Sequence, residues 1–277
     1  VDERELNRRS KLMLAAAARA GEHSLSFFQR ETGGLAVDWK ANGTEVTQAD
    51  RQGEDIIRGL IETNFPDDAV VGEEHGSREG KSGWSWCIDP IDGTRSFAHG
   101  VPLYSVLIGL QYTDSRWGEG VSTAGPRSVA GVIELPALGE RVYATQGQGA
   151  WWERKGGDVK TIARVSSCDR LDRALMCTTS FDYYKKSGRL EILDRLNNAV
   201  GSVRGWSDAY LFALAATGRI DIAIDPVMNP WDNGPFPTIF REAGGVFTSW
   251  KGEDRIDGGD GVAANPALHA QVLKLLQ

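Results

Sequence analysis

An α/β fold of the α+β kind, in two subdomains, is what this sequence predicts. Three observations carry that reading. Two amphipathic helical stretches open the chain, strand-like segments with one hairpin follow as far as residue 144, and strands alternate with helices to the end. The 277 residues suffice for one large domain or two modest ones, and 41% hydrophobic with 25% charged residues is ordinary for a soluble globular chain.

Each element has a local reason. Over the first thirty residues Leu6, Met13, Leu14, Ala17, Ala18 and Leu25 form one apolar stripe, so a helix is expected there. After Thr47-Gln48-Ala49-Asp50, residues Ile56, Ile57, Leu60, Ile61 and Phe65 repeat at helical spacing until Pro66-Asp67-Asp68 ends the run. Val70-Val71 reads as a short strand entering Gly72-Glu73-Glu74, and 84–88 as a strand entering Asp89-Pro90-Ile91-Asp92-Gly93-Thr94. Residues 104–110 suit a buried strand, and 129–144 a hairpin around Pro136-Ala137-Leu138-Gly139. Beyond it the expectations are a strand at 174–178, a helix at 189–199, and a helix at 207–217 closed by Gly218. A strand at 220–224, a helix at 232–243 and a strand at 245–249 follow. Asn265 and Pro266 suit the N-cap and first position of a last helix. The subdomain break is placed at Gly156-Gly157, giving 1–156 with antiparallel sheet and 157–277 with α/β alternation.

Charge and composition exclude several functions. A formal net charge of -7 argues against a nucleic-acid surface, which needs clustered Lys and Arg. Cys87, Cys168 and Cys177 are odd in number and lack a CxxC spacing, so reduced thiols in a cytoplasmic protein are expected. Four histidines without metal-ligand spacing argue against zinc. No signal-peptide pattern is read, and no apolar stretch reaches transmembrane length, so no membrane partner is expected.

The acids stand where strands end. Glu73 and Glu74 follow one strand, Asp89 and Asp92 another, and Asp232 opens a helix after a third. A hard divalent cation takes several carboxylate oxygens and a carbonyl or two, which Asp89, Asp92 and the Ile91 carbonyl can supply, with Pro90 stiffening the turn. Gly93 and Thr94 follow at a helix start, where backbone N–H groups favour an anion. Together these make a site for a phosphate and its counter-cations. Singly, Glu73-Glu74 reads as a solvated pair, Asp232 as a helix cap, and Lys40 and Asp50 as surface charges.

The sequence resembles the inositol monophosphatase superfamily. The resemblance rests on Val46-Thr47-Gln48-Ala49-Asp50, Gly72-Glu73-Glu74, the run from Trp86 to Thr94, Trp231-Asp232, and Ala243-Gly244-Gly245, in the family's order over nearly the whole chain. It implies a layered αβαβα sandwich of the inositol monophosphatase and fructose-1,6-bisphosphatase type, often homodimeric. It implies Mg²⁺-dependent hydrolysis of a small phosphate ester, with two to three ions. Glu73, Asp89 and the Ile91 carbonyl would hold one ion, and Asp89, Asp92 and Asp232 a second, with a third near Glu73. Gly93 and Thr94 would bind phosphate, while Thr94 and Asp50 would activate a water near Glu73. Lys40 and Glu74 are expected behind these groups. Mn²⁺ accepts the same oxygen ligands.

Within the superfamily, Gly205-Trp206-Ser207-Asp208-Ala209-Tyr210, the run from Asp225 to Asp232, and Arg95 after Thr94 resemble the histidinol-phosphate phosphatase branch. Asp208, Asp225 and Arg95 are therefore the expected substrate-binding residues, and extra acid near the leaving group suits a cationic substrate. The alternative for Asp208 is a residue that merely caps the helix near Ser207. The alternative enzymes are an inositol monophosphatase or a broad sugar-phosphate phosphatase. The non-enzymatic alternative is a silent member of the fold with a binding or regulatory role.

Overall fold

The structure, a computed structural model, describes residues 1–29, 37–39, 45–113 and 126–277. In chain order the first half holds α1 (Glu3–Leu25), β1 (Val37–Trp39), β2 (Glu45–Thr47), α2 (Gln48–Asn64), β3 (Ala69–Gly72), β4 (Gly76–Arg78), β5 (Trp84–Asp92), α3 (Thr94–Ala98), β6 (Ser105–Tyr112), β7 (Arg127–Leu135), β8 (Glu140–Thr145), β9 (Ala150–Arg154) and β10 (Val159–Ile162). The second half holds β11 (Leu175–Thr178), α4 (Phe181–Lys186), α5 (Leu190–Ala199), β12 (Ser202–Gly205), α6 (Asp208–Ala216), β13 (Ile222–Asp225), α7 (Pro230–Asn233), α8 (Phe236–Glu242), β14 (Val246–Thr248), β15 (Gly261–Ala264) and α9 (Pro266–Leu276).

Local chemistry starts the long helices. The Asp2 carboxylate accepts the Arg4 N–H at 2.8 Å, and the Asn265 side chain accepts the Leu268 N–H at 3.0 Å, each satisfying an orphan donor. Thr47 and Asp50 form a reciprocal capping box at the start of α2.

Two sheets result. The larger has eight strands in the order β10-β9-β8-β7-β6-β5-β3-β4, and the smaller has five in the order β12-β11-β13-β15-β14. On β6, Val106, Ile108 and Leu110 pack with Met13 of α1 and Ile57 of α2, while Leu107 joins Phe212 of α6 and Phe240 of α8. Helices cover both faces, so the strand reads as one apolar run rather than an alternating one. Ala223 and Ala263 of the smaller sheet join that same middle cluster, while Met176 and Ile224 face α9 through Leu268 and Val272. The layers are therefore helix, sheet, helix, sheet, helix, as the resemblance implied.

The differences from expectation are instructive. β10 pairs antiparallel with β9 across the turn at Gly156-Gly157, so the larger sheet runs past the expected break. That sheet also contains one parallel pair, β3 with β5. The helix expected over 232–243 is two helices, α7 and α8, with Gly234 and Pro235 between them, because Pro235 has no N–H to continue the first. Small residues explain how this corner reaches the sheet. Gly109 and Gly131 are register partners on β6 and β7, and a Cβ on either would fall within 2.4 Å of the Gly234 or Pro235 backbone. Their bareness lets the corner lie on the larger sheet and carries Asp232 toward β5.

Candidate active site

The site forms where β5 ends. Asp89 pairs with Leu107 and Asp92 with Ser105 on β6, and the register shifts between them, so Pro90 and Ile91 bulge from the ladder. The Asp89 carboxylate accepts the Ile91 N–H at 2.9 Å, closing a tight local turn around Pro90. The Thr94 hydroxyl lies 3.1 Å from both the Ile91 carbonyl and the Asp50 carboxylate, donating its one proton to either. Asp50 also accepts the Thr47 N–H at 2.8 Å, so the cap of α2 and the turn after β5 share one carboxylate. Burial pushes the Asp50 pKa up, against those hydrogen bonds.

Asp232 arrives on α7, its carboxylate held by the Asn229 N–H at 2.7 Å. Oxygens of Asp89, Asp92 and Asp232 lie within 4.8 Å of one another. Burial, then the charges of Glu73, Asp92 and Asp232, hold the Asp89 pKa well above the usual carboxylate range. Burial and then Asp208 and Asp232 do the same to Asp92, and burial and then Glu73 to Asp232. Crowded carboxylates that resist ionising together fit a hard, oxygen-seeking divalent cation, which would supply the missing positive charge.

The second half of the chain closes the site. The Ala209 N–H, in the first turn of α6, donates to Asp92 at 2.6 Å, and the Ser105 hydroxyl donates to the same oxygen at 3.1 Å. Asp208 opens that helix and accepts the Thr179 hydroxyl at 3.2 Å and the Ser207 hydroxyl at 2.9 Å. Ser207 has φ 63° and ψ 177°, a conformation rare outside glycine, and its hydroxyl is 2.9 Å from that of Ser96 in α3. Gly93 has φ 80°, and a Cβ there would stand 2.8 Å from the Asp208 carboxylate. Glycine is thus required on both counts.

The open cleft has a volume of about 800 Å³. The acidic cluster, Gly93, Thr94, Asp208, Asp225 and Tyr183 all line it. Asp225 ends β13, is buried, and accepts the Val227 N–H at 3.0 Å; burial drives its pKa well up, opposed by that bond. Arg95 is exposed at the rim. Glu74 gives its N–H to the Glu54 carboxylate at 2.7 Å. Lys40 lies outside the described residues.

Residues 6–277 match the inositol monophosphatase family. The chain belongs to that family. It is 39% identical to the histidinol-phosphatase of Chlorobaculum parvum over 93% of this chain and 92% of that one. It is 32% identical to the inositol-1-monophosphatase of Mesorhizobium japonicum over 96% of this chain and 95% of that one. The solved structure of the extragenic suppressor protein suhB from Bartonella henselae superposes with a TM-score of 0.82, at 28% identity, over 96% of this chain and 97% of that one.

The chain is accordingly a phosphatase of the inositol monophosphatase family, whose members are metal-dependent, and the three-aspartate cluster could hold the metal. Among the described residues no helix is long and apolar enough to cross a membrane. Three groups escaped the sequence reading: Tyr183, which lines the cleft, and the Ser105 hydroxyl and Ala209 N–H, which donate to Asp92. A tyrosine in a short helix and a backbone donor carry no spacing signal, and Ser105 reads only as the start of a strand.

Proposed function

We propose that this phosphatase hydrolyses histidinol phosphate with Mg²⁺. The observation that carries the reading is the pair Asp208 and Asp225, acids lining the same cleft as the cluster but outside its three-aspartate core. Asp89, Asp92, Asp232, Glu73 and the Ile91 carbonyl would hold two to three ions. Bound Mg²⁺ would neutralise the phosphoryl oxygens and acidify the attacking water. The Gly93 and Thr94 N–H groups would receive the phosphate. Asp50, pinned by Thr47, would fix the Thr94 hydroxyl, so that this hydroxyl orients the water near Glu73 without reorganisation. The histidinol amine, cationic at neutral pH, would meet Asp208 and Asp225, with Arg95 at the rim beside the phosphate. The homodimer that the resemblance implies belongs to the same proposal, and light scattering reads it directly.

The 39% identity to a histidinol-phosphatase supports this substrate over inositol phosphate, which offers only hydroxyls to those acids. One charge-assisted hydrogen bond contributes roughly 1.5–3 kcal/mol, on the order of tenfold to a hundredfold in kcat/KM. The test compares kcat/KM for histidinol phosphate and inositol 1-phosphate on the wild type and Asp208→Asn, at fixed ionic strength. Wild type should prefer histidinol phosphate, and the substitution should erode that preference while sparing the neutral ester. A wild type that prefers inositol 1-phosphate would overturn the substrate and leave the phosphatase standing.

A further inference from the structure

Glu54 lies one turn beyond Asp50 on α2 and has no exposed surface. A carboxylate taken wholly out of water is costly unless its lone pairs are filled. Here they are filled largely by the turn that carries Glu73. The Glu74 N–H donates to one oxygen at 2.7 Å and the His75 N–H to the other at 3.1 Å. Arg58, the next turn of the same helix, supplies the counter-charge through its Nε at 2.7 Å and reaches on to the Gly76 carbonyl. A side chain on Gly72 would collide with the Glu54 carboxylate, so the turn and the acid are in direct contact.

This arrangement does more than satisfy a buried charge. The turn between β3 and β4 is anchored on one side by the Glu73 N–H on the Ile88 carbonyl, at 3.3 Å, and on the other by Glu54. Glu73 stands between those anchors and lines the same cleft as Asp89 and Asp232. Without Glu54, two loop N–H groups would turn to water, and Glu73 would be free to relax away from carboxylates that repel it. We propose that Glu54 is a positioning residue for the cation site, holding residues 73–75 so that Glu73 is kept against Asp89 and Asp232. The inference rests on the reading of that cluster as a cation site. α2 then serves the site three times on one face: Asp50 on Thr94, Gly53 against Pro90, and Glu54 on the Glu73 turn.

The experiment is Mg²⁺ titration by calorimetry on the wild type and Glu54→Gln, with steady-state kinetics beside it. Gln keeps the shape of the side chain but replaces one acceptor by a donor, so a loop N–H or Arg58 loses its partner. Cation affinity should fall about 10- to 100-fold, as when groups supporting metal ligands are lost. Turnover should recover at excess Mg²⁺, KM for the ester should hold, and the Glu74 and His75 amides should exchange faster. Unchanged affinity in a folded Glu54→Gln, with wild type binding Mg²⁺, would overturn the role of Glu54 alone. A wild type that bound no Mg²⁺ would overturn the cation site and this role with it. If Glu54→Gln does not fold, Glu54→Asp keeps the charge but withdraws it from the loop, and the same weakening is expected. Failure of both to fold would overturn the proposal, leaving Glu54 a core residue.

Discussion

Two groups of carboxylate border the larger sheet, one fully buried and one partly so, and they are solved in opposite ways. Asp68 is fully buried and saturated from within: Arg9 reaches it at 2.8 and 2.9 Å, the Trp86 indole N–H at 2.9 Å, and the Ser82 hydroxyl at 2.7 Å. The guanidinium is itself packed over the Phe65 and Trp84 rings, at 4.1 and 4.4 Å. In the cluster of Asp89, Asp92 and Asp232, by contrast, the charges that press on each carboxylate are those of other carboxylates. A buried acid with its cation built in belongs to the architecture. A partly buried group of acids that raise one another's pKa is incomplete until something positive arrives, and it lies in the cleft.

That contrast sets the predictions. Arg9→Met should cost the most stability, about 3–5 kcal/mol by urea unfolding, because Asp68 stays behind as a buried unpaired charge. A loss under about 1 kcal/mol would make the pair no better than an exposed one and erase the distinction. Asp89→Asn should do the reverse. Turnover should fall by more than roughly 10²-fold, while the cation-free protein loses little stability, since the change relieves repulsion. Near-normal turnover would mean the cluster is not where the chemistry occurs. Mg²⁺ at a hundred times its Kd should then stabilise wild type by about 2.7 kcal/mol, and EDTA should abolish both that gain and activity. The gain should survive in Arg9→Met and shrink in Asp232→Asn; equal gains in both would sink the comparison. The smallest effect is the roughly tenfold loss expected for histidinol phosphate in Asp208→Asn.

Much of the site was legible because its signals are local. Asp89, Ile91, Asp92, Gly93 and Thr94 lie within six positions, and Thr47 with Asp50 is a capping pattern that any helix start displays. Strands were legible where both faces are buried in large apolar side chains, as in β6. They were not where the strand is built of small residues, as in Gly261–Ala264, or follows a glycine pair, as in Val159–Ile162. Glu54 looked like one more charge on an amphipathic helix. Nothing within α2 says that its partners are N–H groups twenty positions on.

From the order of its residues alone this chain is readable as an α/β protein of the inositol monophosphatase type, with its acids at strand ends and an anion-favouring helix start at Gly93 and Thr94. Hydrophobic period, caps and short motifs are properties of neighbours in the chain, and they survive without a fold. What needed the folded molecule was the geometry of contacts between distant segments, including that of Asp50 with Thr94, which the family resemblance had implied. The Ala209 N–H on Asp92 spans 117 positions, Thr94 on Asp50 spans 44, and the seat of Asp232 depends on two bare glycines in strands that never touch it in sequence. Such contacts arise when layers pack. Where the partner is a main-chain donor or an empty volume, its chemistry is the same at every residue and leaves no mark in the sequence.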